Sequence, residues 1–96
     1  MDDLRRPWLL DPEVTFLNHG SFGACPRPVL EAQQAWRERL EREPVRFMVE
    51  TLEPALDAAR AEAAVFVGAD AEGFAFVPNA TTGVNTVLAS LAFGGA

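Results

Sequence analysis

Five consecutive residues carry the clearest chemistry in the chain: Asn79, Ala80, Thr81, Thr82 and Gly83. They follow a compact apolar run, Phe74-Ala75-Phe76-Val77. They precede a helical pattern in which Val84, Val87, Leu88 and Leu91 share one face. A strand, then a turn of small and hydroxyl residues, then a helix is an arrangement that binds phosphate. The helix N-terminus offers unpaired backbone N–H groups and a partial positive charge. Ala80 and Gly83 let the main chain approach an anion, and the Thr81 and Thr82 hydroxyls can donate to its oxygens. The same residues also fit plain capping, with Asn79, Thr81 or Thr82 satisfying the helix's own first turn. Local chemistry leaves both readings open.

A second loop, Asn18-His19-Gly20-Ser21-Phe22-Gly23-Ala24-Cys25-Pro26, holds the one histidine and the one cysteine. Its two glycines permit backbone conformations closed to other residues and a close approach to a ligand. His19 is a candidate for chemistry, weighed against a plain polar loop residue. Cys25 has only Arg27 as a basic neighbour in sequence, and an inert thiol is the simpler reading. One histidine and one cysteine in one loop do not make a zinc site. All eight basic residues are arginines, so there is no lysine for a Walker A loop, and no G-x-G-x-x-G is present.

Around these residues, the elements follow from spacing. Val14-Thr15-Phe16-Leu17 predicts a short strand after an irregular, proline-containing arm. Val29, Ala32, Trp36 and Leu40 predict a helix from Pro28 to a stop at Pro44, with Glu38 and Arg42 paired on its outer face and Trp36 in its core stripe. A second helix is expected over 52–67, with Thr51 as N-cap and Gly68 as its stop. Its buried face would carry Leu52, Leu56, Ala59, Ala63 and Phe66. The third runs to about Ala92, and Gly94-Gly95-Ala96 falls where a connection to another strand would be expected. One strand and three amphipathic helices do not close a sheet. The pattern fits either part of a larger α/β sheet domain or a small, mostly helical one.

Composition narrows the field. The chain has 96 residues, 49 % hydrophobic and 23 % charged, with a net charge of −6. That describes a globular chain with no concentrated basic surface for nucleic acid. Its apolar stretches are too short for a membrane helix, and its first residues are not a secretory signal. A single cysteine fits a reducing cytoplasm.

The segment from Phe74 to Leu88 resembles the cofactor-phosphate segment of the class V aminotransferase family. These enzymes depend on pyridoxal 5'-phosphate (PLP) and have the fold type I architecture. Ala80 and Thr81 match the centre of the turn that commonly reads Gly-Ala-Thr-Glu in the cysteine desulfurases. Asn79 and Thr82 depart from it, and Asn-Ala-Thr-Thr-Gly-Val-Asn is similar to the isopenicillin-N epimerase-like branch. A second match, Phe16 to Ala24, looks like the loop at the active-site mouth in that branch and in kynureninases. The resemblance therefore spans nearly the whole chain.

It implies an α/β chain, the N-terminal part of a PLP-dependent transferase. Residues 1–50 would be the arm, active-site loop and first helix, and residues 51–96 the start of the large PLP-binding domain. Ala80, Thr81 and Thr82 would bind the cofactor, with Asn85 a weaker candidate, and Asn18 and His19 would face an amino-acid substrate. No catalytic residue and no metal ligand is assigned. The Schiff-base lysine, the acidic partner of the pyridinium nitrogen and the stacking aromatic belong to later parts of the family's chain, so this chain is expected to be inactive alone. A homodimer is expected of the longer protein, with neither nucleic acid nor membrane as partner. The reaction stays open among epimerisation, desulfuration, transamination and elimination. The alternative is a small acidic, helix-rich interaction module without catalysis.

Overall fold

The computed structural model describes residues 3–92, and the expected connection at Gly94-Gly95-Ala96 lies outside them. The chain divides into two compact units, Met1–Thr51 and Leu52–Ala96. The described residues form helices and turns, and none of them lies in a strand.

In the first unit, α1 spans Arg27–Arg42 and α2 is a single turn, Pro44–Arg46, followed by a π-helical segment, Phe47–Thr51. Proline in the first turn of α1 fits where its missing N–H is no loss, and Arg39 and Arg42 in the last turn complement the helix dipole. The chain breaks at Glu43, with φ −145° and ψ 73°, and Pro44 then opens the next helical turn rather than ending the structure. Phe47 meets Trp36 edge-on at 6.2 Å, and the Arg39 guanidinium lies 4.5 Å over the Trp36 ring. Trp36 is therefore a partly exposed platform, not the core residue its spacing predicts. The expected Glu38–Arg42 pair does not form; Glu38 accepts from Gln34 at 3.3 Å instead. Thr51 is itself helical, so it does not act as a cap.

The second unit holds α3, Leu52–Val67, and α4, Ala80–Ser90. The end of α3 falls where Gly68 places it. Gly68 sits at φ 72°, its N–H donates to the Val65 carbonyl at 3.2 Å, and the Ala69 N–H reaches back to Ala64 at 2.8 Å. These two reversed bonds satisfy carbonyls that the helix leaves free, and a left-handed residue there favours glycine.

Neither expected strand forms. Val14 turns its N–H back to Asp11 at 3.1 Å, and residues 15–18 have no ladder partner. Phe74 is extended, at φ −113° and ψ 131°, yet residues 74–77 too have no ladder partner. β-propensity sets the dihedrals, but a strand exists only when a neighbour accepts its hydrogen bonds. The expected strand-turn-helix is thus an unpaired segment, a bend and a helix.

The apolar faces lack cover among the described residues. Ala64, 1 % exposed, is the one buried hydrophobic residue. Phe66, placed by spacing on the buried face of α3, is 90 % exposed, and Leu56 is also exposed. Val84, Val87 and Leu88 of α4 are exposed, as is Leu91 just beyond its end at Ser90. Amphipathic spacing identifies a face that needs a partner without supplying one.

Candidate functional site

The turn before α4 is built by Asn79. Its backbone is extended, at φ −164° and ψ 168°, and its Oδ1 accepts from the Thr82 N–H at 2.8 Å. The Gly83 N–H then donates to the Asn79 carbonyl at 3.2 Å, the first bond of the helix ladder. Asn79 is the cap; Thr81 and Thr82 are not. With position 82 satisfied, the Ala80 and Thr81 N–H groups are the orphan donors of the first turn, without a partner among the described residues. Thr81 and Thr82 are exposed. Further along, the Thr86 and Ser90 hydroxyls donate back to the carbonyls of Thr82 and Thr86, at 2.8 and 2.7 Å. They are occupied within the helix, whereas those of Thr81 and Thr82 have no partner among the described residues. A Cβ at Gly83 would make ordinary contact with Val77 at 3.5 Å, so the unit's own packing does not demand glycine there.

The segment leading to this turn is fastened by a residue that spacing alone did not single out. Arg60 of α3, 29 % exposed, donates to the carbonyl oxygens of Ala71 and Phe74 and to Asp57 at 3.3 Å. One nitrogen of the fork, Nη1, serves both carbonyls, while Nη2 meets Asp57. An arginine amid the alanines of an apolar helix face is the available signal. The exposed Asp57 contact contributes little by itself.

Asn18 and His19 lie in the first unit, and Ala80, Thr81 and Thr82 in the second. Asn18 Oδ1 accepts from the Ser21 N–H at 3.2 Å. His19 is held on three sides. Phe16 meets its ring edge-on at 4.7 Å, Trp8 is tilted against it at 5.2 Å, and its Nδ1 accepts from the Ala24 N–H at 3.3 Å. Neither loop glycine has positive φ. Gly23 is required for another reason: a Cβ there would lie 2.9 Å from the His19 carbonyl oxygen. Gly20 has open space around it. The arm is drawn onto the start of α1 by the Arg27 N–H, which donates to the Pro7 carbonyl at 2.6 Å. Cys25 is an exposed free thiol. Among the described residues no cluster of histidine, cysteine and acidic side chains could hold a metal, and no helix is long and apolar enough to cross a membrane.

Over most of its length, the chain is homologous to a segment of two kinds of enzyme. One is isopenicillin N epimerase. The protein of that name from Amycolatopsis lactamdurans is 43 % identical over 82 residues, 85 % of this chain and 20 % of that protein. Its namesake from Streptomyces clavuligerus is 37 % identical over 90 residues, 94 % of this chain and 23 % of that one. The other kind is L-cysteine desulfhydrase: a probable chloroplastic one from Arabidopsis thaliana is 34 % identical over 84 residues, 86 % of this chain and 18 % of that protein. The chain thus spans about a fifth of the length of the curated relatives it matches. No family model matches it, and no solved structure does.

Proposed function

We propose that this chain is the N-terminal part of a PLP-dependent enzyme of the class V aminotransferase family, isopenicillin-N epimerase-like branch, acting on an amino acid or a similar substrate. The observation that carries the proposal is the pair of free N–H groups, Ala80 and Thr81, at the positions where the sequence resembles the family's phosphate turn. Homology to an epimerase and to desulfhydrases over most of the chain supports it. So do the uncovered apolar positions of α4, which suit an element that packs inside a larger domain.

The donor set fits the phosphate group. Two backbone N–H groups and the hydroxyls of Thr81 and Thr82 present donors, the dipole of the 11-residue α4 favours an anion, and no acidic residue occupies the first turn. Asn79 holds the turn open by capping Thr82, and Arg60 fixes the segment that enters it. When bound, PLP supplies an electron sink for the substrate's bond-breaking. The chain's share is to bind and orient the phosphate through Ala80, Thr81 and Thr82, with Asn18 and His19 on the substrate side. Without a lysine it has no side chain for the family's covalent cofactor link, so by itself it is inactive. The longer protein is expected to form a homodimer in the cytoplasm.

An antibody raised against this chain, used to isolate the native polypeptide from its source, tests the proposal. The expected product is several times longer than 96 residues and releases PLP on acid treatment. A native polypeptide of 96 residues without bound cofactor would overturn it and favour the acidic interaction module.

A further inference from the structure

Beside the loop, the first unit contains a hollow of about 210 Å³ whose lining includes Arg5, Trp8, Thr15, Phe16 and His19. No acidic residue lines it, and Arg5 is its one permanent charge. Most of the rest is aromatic or aliphatic. Arg5 uses one guanidinium N–H on the Pro12 carbonyl, at 3.3 Å, which leaves further N–H donors of its fork. His19 contributes a donor of known identity. Because Nδ1 accepts from the Ala24 N–H, the neutral ring carries its proton on Nε2. That nitrogen has no partner among the described residues. A histidine fixed in this tautomer donates a hydrogen bond; it has no free lone pair with which to abstract a proton.

We infer that this hollow is a binding site for a small carboxylate bearing an apolar group, with Arg5 supplying the charge and His19 donating from Nε2. A cation and a neutral donor beside apolar walls, with no competing carboxylate, select an anion of that kind over a phosphate or a cation. Identifying the carboxylate as that of the enzyme's amino-acid substrate rests on the function proposed above; the site itself does not.

The chain has one histidine, so its imidazole resonances need no assignment. A long-range ¹H–¹⁵N correlation spectrum of the labelled chain, recorded with the ring neutral, should show unprotonated Nδ1 and protonated Nε2. Isovalerate should then shift the Nε2 and Arg5 Nε resonances, whereas its neutral amide, isovaleramide, should not. Arg5→Met should lose the response. His19→Asn, whose side-chain oxygen replaces Nδ1 as acceptor, should keep the Ala24 amide protected and bind isovalerate about tenfold more weakly, the loss of one hydrogen bond to a charged group. A protonated Nδ1, an equal response to isovaleramide, or no response to isovalerate would overturn the inference. None of these readouts involves PLP, so their failure is distinct from failure of the cofactor reading.

Discussion

The Ala24 N–H donates to Nδ1 of His19 at 3.3 Å, closing a loop in which the Gly23 α-carbon faces the His19 carbonyl. The bond couples the one histidine's tautomer to the backbone path of residues 19–24. Gly23 is what allows the two to approach, since any Cβ there would stand 2.9 Å from a backbone oxygen that cannot swing aside as a side chain could. Gly23→Ala should therefore break this bond and speed amide exchange at Ala24 about fivefold, the equivalent of ~1 kcal/mol. Gly20→Ala, with nothing within 4 Å of its Cβ, should leave it unchanged. Equal effects of the two substitutions would show that the loop does not depend on this contact.

Asn79→Ala should remove the cap of α4. Capping asparagine contributes about 1 kcal/mol, so the Thr82 amide should exchange roughly fivefold faster. Asn79→Asp separates capping from anion binding. It retains an acceptor for Thr82 and keeps that amide slow, while its negative charge beside the free Ala80 and Thr81 N–H groups should weaken phosphate binding. Equal loss of protection in both variants would argue against the side-chain cap.

Arg60→Met should free residues 71–74 from α3. Half-buried bonds from a charged donor contribute ~1.5 kcal/mol or more, so exchange at the Gly73 and Phe74 amides should rise about tenfold. Arg60→Lys should restore only part of this, because a lone ammonium cannot reach both carbonyls while also anchored on Asp57, as the guanidinium is through Nη2. Full rescue by lysine would mean that charge alone holds the segment.

With Phe66, Val84, Val87 and Leu88 all exposed, the isolated chain should bind the dye ANS on these uncovered faces while retaining helical far-ultraviolet dichroism. Absence of dye binding would instead indicate a self-sufficient small domain.

How far these features could be read from residues depends on whether they are local. The span of α3 follows from apolar spacing and Gly68, because a left-handed stop is dictated by the residue itself. Proline placed the start of α1 for the same reason. The expected Phe74–Val77 strand does not form, since pairing requires a neighbour that local sequence cannot provide. Phe66 and Trp36 failed in the same way: periodicity marks an apolar face but says nothing of what covers it. At the candidate site, Asn79 was among three residues named for the cap, and geometry selected it by bringing Oδ1 to the Thr82 N–H. The Arg60 clamp and the His19–Ala24 bond join residues 11 and 5 positions apart or more through side-chain reach, which no spacing rule expresses.

The most direct test of the cofactor reading follows the backbone amides of Ala80 and Thr81 in the ¹⁵N-labelled chain during titration with PLP, with pyridoxal as the phosphate-free control. Binding through the phosphate should shift both amides with PLP and with inorganic phosphate, and neither with pyridoxal. Amides that stay still with PLP, or that move equally with pyridoxal, would contradict the assignment of this turn to the cofactor phosphate.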